Sequence, residues 1–341
     1  MLRIDGSYGE GGGQILRTSL ALSSLLKMPV EIYNIRSKRK NPGLRAQHIA
    51  SIKAIAELYN AEVENLKEGS SFLRFYPREL KGEKVKINVG TAGSITLILQ
   101  ALIPSLSLVD KVIEVELIGG TDVKWSPTFN YFQKVALEAF KALGVYVNIK
   151  AERRGYYPRG GGIVKCFIKP NKIRNVEWVN FKEIKPSIIS VCSNLPLSVA
   201  ERQLKAAKEK LIKENLELER EEKLEEPALD KGSSLLVYSV KGEEGIFIGG
   251  DSIGEKGKLA EKVGEEAAEK FLKTYKIKAP LDEHIADMIV PFLFLANGPS
   301  KFLTCEATEH LKTNLYVAKL FIDRDYKLEL DSSGRALISI F

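Results

Sequence analysis

Several residues whose patterns would announce a function are scarce in this chain. Cys166, Cys192 and Cys305 are its only cysteines. Their wide separation gives neither a metal-type cluster nor a disulfide framework, so a reducing cytoplasm is the expected setting. No apolar run is long enough to span a bilayer, and the first residues lack a signal-peptide pattern, so a membrane is not an expected partner. Two familiar phosphate loops are absent as well. Gly-x-x-x-x-Gly-Lys-Ser/Thr occurs nowhere, and the glycine run near the start fails Gly-x-Gly-x-x-Gly because Gln14 takes the last glycine's place. Nor is Asp5-Gly6 part of a lysine-adenylating ligase motif. The lysine's position holds Arg3, whose guanidinium does not deprotonate and cannot serve as the nucleophile.

What is present points to phosphate. The 341 residues are 44% hydrophobic and 28% charged, enough for a full core and for two domains. A formal net charge of +7 favours a polyanionic partner. In Asp5-Gly-Ser-Tyr-Gly-Glu-Gly-Gly-Gly-Gln-Ile-Leu-Arg17, glycines surround Glu10. Ile15, Leu16, Leu20, Leu22, Leu25 and Leu26 then recur with helical period. A glycine loop feeding a helix offers free N–H groups to phosphate. Glu10 would repel that phosphate unless a divalent cation lay between them. A tight turn with a solvated Glu10 fits the glycines equally well.

The pattern of elements repeats. Strand Met1–Ile4, the glycine loop, a helix to Leu26, strand Val30–Ile35, a polar loop and helix Ala46–Tyr59 precede strands near 61–65, 72–76 and 85–89. The same order returns with loop 90–94, a helix to Ile103, strand 112–118, loop 119–127, a helix carrying Phe129, Phe132, Val135, Ala136 and Phe140, and strand 146–150. A shorter third copy has helix 282–296, strand 302–306, loop 307–310, a helix to Ile322 and strand 326–330. Such an internal repeat would bring equivalent loops to comparable ends, so Glu10 and His310 are expected to share a cleft. Between the second and third copies lies a different α/β stretch. It holds strands near 187–192, 216–222, 234–240 and 246–249, a helix opened by a Ser198-Val-Ala-Glu201 capping box, and a Lys/Glu-rich helix from about 256 to 275.

Few groups remain for chemistry. Of the three histidines, His310 stands in a polar loop at a helix start, where a neutral, nucleophilic imidazole is favoured. His48, beside Gln47 at the equivalent helix entry, is expected to line the same cleft. His284, early in a helix, allows either base stacking or simple packing. Gln14, Gln47 and Gln100 stand out because the chain has only five glutamines. Arg36, Lys38, Arg39, Lys40 and Arg45 crowd one loop, which either binds phosphates or is a solvated surface.

The motifs together resemble one family. The run from Asp5 to Arg17 resembles the opening of the RNA 3'-terminal phosphate cyclases. So do Asn41-Pro-Gly-Leu-Arg-Ala-Gln-His48, Gly93-Ser94 with Leu99-Gln100, Gly119-Gly-Thr-Asp122, Tyr157-Pro-Arg-Gly-Gly-Gly162, Asp282-Glu-His-Ile-Ala-Asp287 and His310-Leu-Lys-Thr-Asn314. The resemblance implies an α/β (α+β) fold of three βαβαββ-like units, similar to those of enolpyruvyl transferases, with a smaller α/β domain inserted before the third. Residues 1–183 would form the first part of the large domain (repeats one and two), 184–276 the insert and 277–341 repeat three.

The same resemblance implies an enzyme that uses ATP and a divalent metal (Mg or Mn) to cyclise an RNA 3'-phosphate. His310 would be the nucleophile and Glu10 the metal ligand. Gln14, Arg17, Arg39, Gln47, Gln100, Pro127, His284 and Asp287 would meet ATP, with Pro127 and His284 flanking the adenine. Arg36, Lys38, Lys40 and Arg45 are the expected RNA contacts, and a homo-oligomer stays open. Two rivals are a non-adenylating RNA-binding relative in ribosome biogenesis, expected to lack the histidine, and an enolpyruvyl-transferase-like enzyme, which needs no basic loop.

Overall fold

The computed structural model describes residues 1–169 and 171–341. In its first unit, β1 (Leu2–Asp5), α1 (Gly13–Leu26), β2 (Val30–Tyr33), α2 (Ala46–Tyr59), β3 (Glu62–Glu64) and β4 (Leu73–Tyr76) give a sheet ordered β1-β2-β4-β3. The second unit has β5 (Lys84–Asn88), α3 (Ile95–Ser105) and β6 (Ile113–Gly119). Next comes α4 (Phe129–Tyr131), continuing through a π-helical stretch at Phe132–Ala136 into α5 (Leu137–Ala142). With β7 (Tyr146–Arg153) and β8 (Gly162–Lys169) its sheet is ordered β5-β6-β8-β7, the same arrangement.

Next in the chain is β9 (Glu177–Trp178), a strand too short to show in the sequence pattern. It pairs in parallel not with its neighbours in sequence but with a strand near residue 301. The chain then leaves for β10 (Ser187–Ser193), α6 (Ser198–Lys213), β11 (Arg220–Glu225), β12 (Gly232–Lys241), β13 (Ile246–Ile253) and α7 (Ala260–Lys276). These strands form their own sheet, ordered β11-β10-β12-β13. Ile188, Val237 and Ile248 from it meet Leu211, Val263 and Phe271 from the helices in a separate apolar core. The chain returns with α8 (Glu283–Leu295), β14 (Ser300–Thr304), α9 (Glu309–Phe321), β15 (Tyr326–Leu330) and β16 (Ala336–Ile340). With β9 at its edge this sheet is ordered β15-β16-β14-β9, repeating the arrangement once more.

Three details depart from expectation. The third unit begins at β9, before the insert, and ends on β16, which sequence pattern alone did not reveal. In the insert, β11 lies at 220–225 rather than 216–222, because Leu216 is drawn into the insert core as a connector. Ser198 caps nothing: it is already helical, Leu197 holds the cap position, and no side-chain cap bond forms.

Burial explains the layering. β6 and β8 alternate buried with more accessible residues, giving their sheet one apolar face, whereas β10 and β13 are buried along nearly their whole length. The first helices of units one and three are enclosed on all sides: Gln14 through Ser24 of α1 are all buried, as are Ile285 through Phe294 of α8. α1 packs against both α3 and α9, and a single apolar core runs through all three units. Helix α1 of unit one therefore lies against α9 of unit three, with Gln14 beside Asn314.

Candidate active site

Helix caps distinguish the first unit from the other two. Ser94, Thr128, Asp282 and Thr308 cap α3, α4, α8 and α9, each accepting from an amide of the first turn. At α1 the cap residue is Gly12, with no side-chain acceptor. The first amides of α1 thus have no side chain covering them, which is how a helix receives an anion.

The loop leading to those amides is held open. Asp5 accepts from the backbone and hydroxyl of Ser7 at 2.9 and 2.8 Å, Tyr8 stacks on Tyr316 of α9 with centroids 3.8 Å apart, and Lys38 Nζ donates to the Gly9 carbonyl at 3.0 Å. Glycine is required here for space. A Cβ on Gly13 would stand 2.5 Å from His48 Nε2, and one on Gly12 would stand 2.9 Å from an Arg39 nitrogen.

Glu10 projects from this loop between two groups. One carboxylate oxygen pairs with Arg39, and the other lies 3.0 Å from Nε2 of His310. Residues 300 positions apart in sequence thus face each other across one cleft. His310 sits in the first turn of α9, half-buried. Burial lowers its pKa below the ordinary value, Glu10 works in the other direction, and Arg17, His284 and Arg39 reinforce the lowering. The imidazole is therefore neutral near pH 7.

Beneath lies a buried polar floor. Asn314, one turn after His310 on α9, accepts from Gln14 Nε2 at 3.0 Å and Thr18 Oγ1 at 2.7 Å, and donates to the Asp287 carbonyl at 2.8 Å. Gln14 Oε1 in turn accepts from Arg17. Burial brings the Arg17 guanidinium down to about 10, so it stays charged, and its Nε has no hydrogen-bond partner among the described residues. Burial pushes Asp287 up to about 7, against the pull of His284 and Arg17. Burial also opposes a charge on His284, yet Asp282, Glu283, Asp287 and Asp251 raise its pKa above the usual value. The His284 ring meets Tyr131 edge-on at 5.9 Å.

Other residues singled out in the sequence are placed as follows. His48 lies under the loop: its Nδ1 accepts from the Arg45 amide at 3.1 Å, and burial, then Arg17, Arg36 and Arg45, hold it neutral with a pKa of about 3. Gln47 Oε1 accepts from the Ser94 amide at 3.2 Å, joining units one and two, and Thr96 Oγ1 donates to the Pro127 carbonyl at 2.9 Å. Gln100 is half-buried on α3. Within the basic loop, Arg36 is spent on the loop itself, donating to the carbonyls of Asn41 and Gly43 at 2.8 and 3.0 Å. Arg45 faces Glu68 at 3.2 Å, and Lys38 and Lys40 are exposed.

Sequence pattern overlooked Thr18 and the part played by Asn314. The interval from His310 to Asn314, four residues on one helix face, was the available signal. It also overlooked Asp282, whose carboxylate accepts from Tyr131 and the Gly249 amide at 2.7 Å, and Asp251, which accepts from the Thr128 amide at 2.7 Å. Both acids tie the insert to the site's wall.

Comparison with known proteins identifies a family. Residues 8–328 match the model of the family described as RNA 3'-terminal phosphate cyclase. Proteins of that name are similar along nearly their whole lengths. The one from Pyrobaculum aerophilum is 44% identical, covering 99% of this chain and 97% of its own. Pyrococcus abyssi has one at 45% (96% and 95%), and Archaeoglobus fulgidus one at 41% (96% and 98%). On these matches, over a chain whose histidine, glycine loop and buried arginine meet in one cleft, the protein belongs to the RNA 3'-terminal phosphate cyclase family.

Proposed function

We propose that the protein converts an RNA 3'-terminal phosphate into a 2',3'-cyclic phosphodiester at the expense of ATP, through a covalent adenylate on His310. The observation that carries this reading is the neutral imidazole of His310 at a helix start, 3.0 Å from Glu10 and at the rim of a glycine loop with uncovered α1 amides. In the first step the unprotonated nitrogen of the neutral His310 imidazole attacks the α-phosphorus of ATP; an N–P bond forms, the bridging P–O bond breaks and pyrophosphate leaves. A terminal RNA phosphate oxygen then takes the AMP from His310, which regains its lone pair. The adjacent 2'-OH, losing its proton, attacks the RNA phosphorus and expels AMP.

The residues fit a triphosphate. Buried, charged Arg17 has a free Nε, and Arg39 and the α1 amides stand beside it. Gln14 orients Arg17; Gln47, Gln100, Pro127, His284 and Asp287 are taken to hold the nucleotide. Among the described residues no group of three or more His, Cys, Asp or Glu could hold a metal ion. Glu10 alone suits Mg or Mn, which bind through one carboxylate plus phosphate oxygens and water. Such an ion would offset triphosphate charge. Lys38, Lys40 and Arg45 are the proposed RNA contacts, with Arg36 shaping their loop.

We take 184–276 as an inserted domain between 1–183 and 277–341. Among the described residues no helix is long and apolar enough to cross a membrane, and the three buried, unpaired thiols suit the cytoplasm. The test is incubation with α-labelled ATP and Mn or Mg without RNA. Label should stay on denatured protein, survive alkali, be lost in acid and disappear in His310→Ala. Label that persists in this variant, or maps to a lysine, refutes the reading. No label on the wild type favours the non-adenylating RNA-binding alternative.

A further inference from the structure

We propose that Trp125 and Tyr157 form a stacking platform for the nucleotides preceding the 3' end of a single-stranded RNA, a surface whose role rests on the cyclase reading above. Trp125 is 94% exposed and Tyr157 80%, well beyond the exposure such side chains ordinarily show. Trp125 also has a φ of 61°, a backbone conformation that is costly for a bulky residue and that persists only where its surroundings enforce it. Neither ring serves the core.

Both rings stand on loops that are bonded to the loops of the site. Two residues after Trp125, the Pro127 carbonyl accepts from Thr96. Thr96 shares a 2.9 Å hydrogen bond with Ser94, whose amide reaches Gln47. The loop bearing Tyr157 is joined to the loop bearing Trp125 where the Gly155 carbonyl accepts from the amides of Thr121 and Asp122 at 2.8 and 3.2 Å. It also presses on loop 90–94, since a Cβ on Gly160 would lie 2.8 Å from Ala92 Cα. Three loops of unit two are thus bonded to one another and, through Ser94, to Gln47. Both flanks are anchored to the insert, by Arg159 to Asp230 at 2.9 Å and by Lys124 to Glu255 at 2.5 Å, so the loops that carry the rings are tied down before any ligand arrives. Across Gln47 lies the loop of Lys38, Lys40 and Arg45. Exposed rings beside a cationic loop are the combination that tracks single strands, because every base offers a π-face and every phosphate a charge.

The test compares a short 3'-phosphorylated oligoadenylate with a nucleoside 3'-phosphate. Trp125→Ala and Tyr157→Ala should each raise KM for the oligonucleotide roughly tenfold, erasing that much of its advantage over the nucleoside 3'-phosphate. Trp125→Phe should retain most of that advantage, and the effect should persist at high salt. Oligoadenylate should also quench tryptophan fluorescence in the wild type and not in Trp125→Ala. The other tryptophan, Trp178, is buried against Phe247 and reports an intact fold in every variant. An unchanged KM ratio, or no quenching, overturns the platform. So does a concentration-dependent dimer that Trp125→Ala dissolves without altering the KM ratio, which would make the patch an interface between copies. If quenching is lost in the variant but no RNA is ever cyclised, the platform stands and the cyclase reading falls.

Discussion

Replacing Asn314 by alanine should unsettle the site from below. Its fully buried amide joins α9 to α1 through Gln14 and Thr18 and to α8 through the Asp287 carbonyl. Alanine strands those three groups, and a buried polar group without a partner costs roughly 1–3 kcal/mol. Gln14 Nε2 keeps a longer contact to Thr18 Oγ1 at 3.4 Å, so the Thr18 hydroxyl proton and the Asp287 carbonyl are the two that lose their partner, and the expected loss is about 3–4 kcal/mol. Unfolding entropy of about 2 cal/mol/K per residue turns this into a Tm fall of roughly 5 °C for a chain of this length. Calorimetry reads that fall directly.

Activity should drop further than stability accounts for. Gln14 holds Arg17, so single-turnover adenylylation well below the melting temperature should slow roughly ten- to hundredfold. Asn314→Asp keeps the oxygen that accepts from Gln14 and Thr18 but cannot donate to the Asp287 carbonyl, so it should restore part of the rate and little of the stability. Asn314→Ala melting within a degree of the wild type and adenylylating at its rate would refute this account.

The remaining expectations concern charge. Glu10 raises the His310 pKa, so Glu10→Gln should lower it further in an NMR titration while removing metal-dependent activity; an upward shift contradicts the pairing. Because the His310 pKa lies below 6.5, the reactive neutral form gains as pH rises through a value under 6.5. Adenylylation should therefore be half-maximal on the acid side of 6.5, and a midpoint above it would discount His310 as the rate-controlling base. Lys38→Ala with Lys40→Ala should weaken RNA binding and flatten its log–log salt slope by about 0.7 per lost phosphate contact; an unaltered slope returns the loop to ordinary surface.

Legibility from sequence followed the range of the interactions involved. Helix α2 was read to both its ends, and β15 likewise, because local period sets each of them. β9 could not be read, since two residues of strand acquire meaning only from β14, more than a hundred positions away. β11, almost all charge, hid behind the more apolar Leu216 and Leu218. In the site, the glycine loop and His310 stood out by residue type, and their meeting was anticipated from the repeat. His48 was expected in the cleft and instead props the loop from beneath, because burial among three arginines leaves a neutral ring only a packing and acceptor role. Asn314 was visible as part of a motif, but its three partners come from helices that only the packing of units one and three brings together.

The position of the insert also governs when the protein becomes competent. The edge strand at Glu177–Trp178 must wait for Ser300–Thr304, and Gln14 must wait for Asn314, 300 residues downstream. Closures over such distances are slow and are completed late, after locally connected units have formed. During synthesis from the N-terminus, the glycine loop and the insert's sheet emerge before the helix bearing His310. His310 thus reaches Glu10 only when the last unit docks. A partly made chain can display the glycine loop and the basic surface without His310, so under the proposed mechanism nucleotide loading would report that the whole molecule has closed.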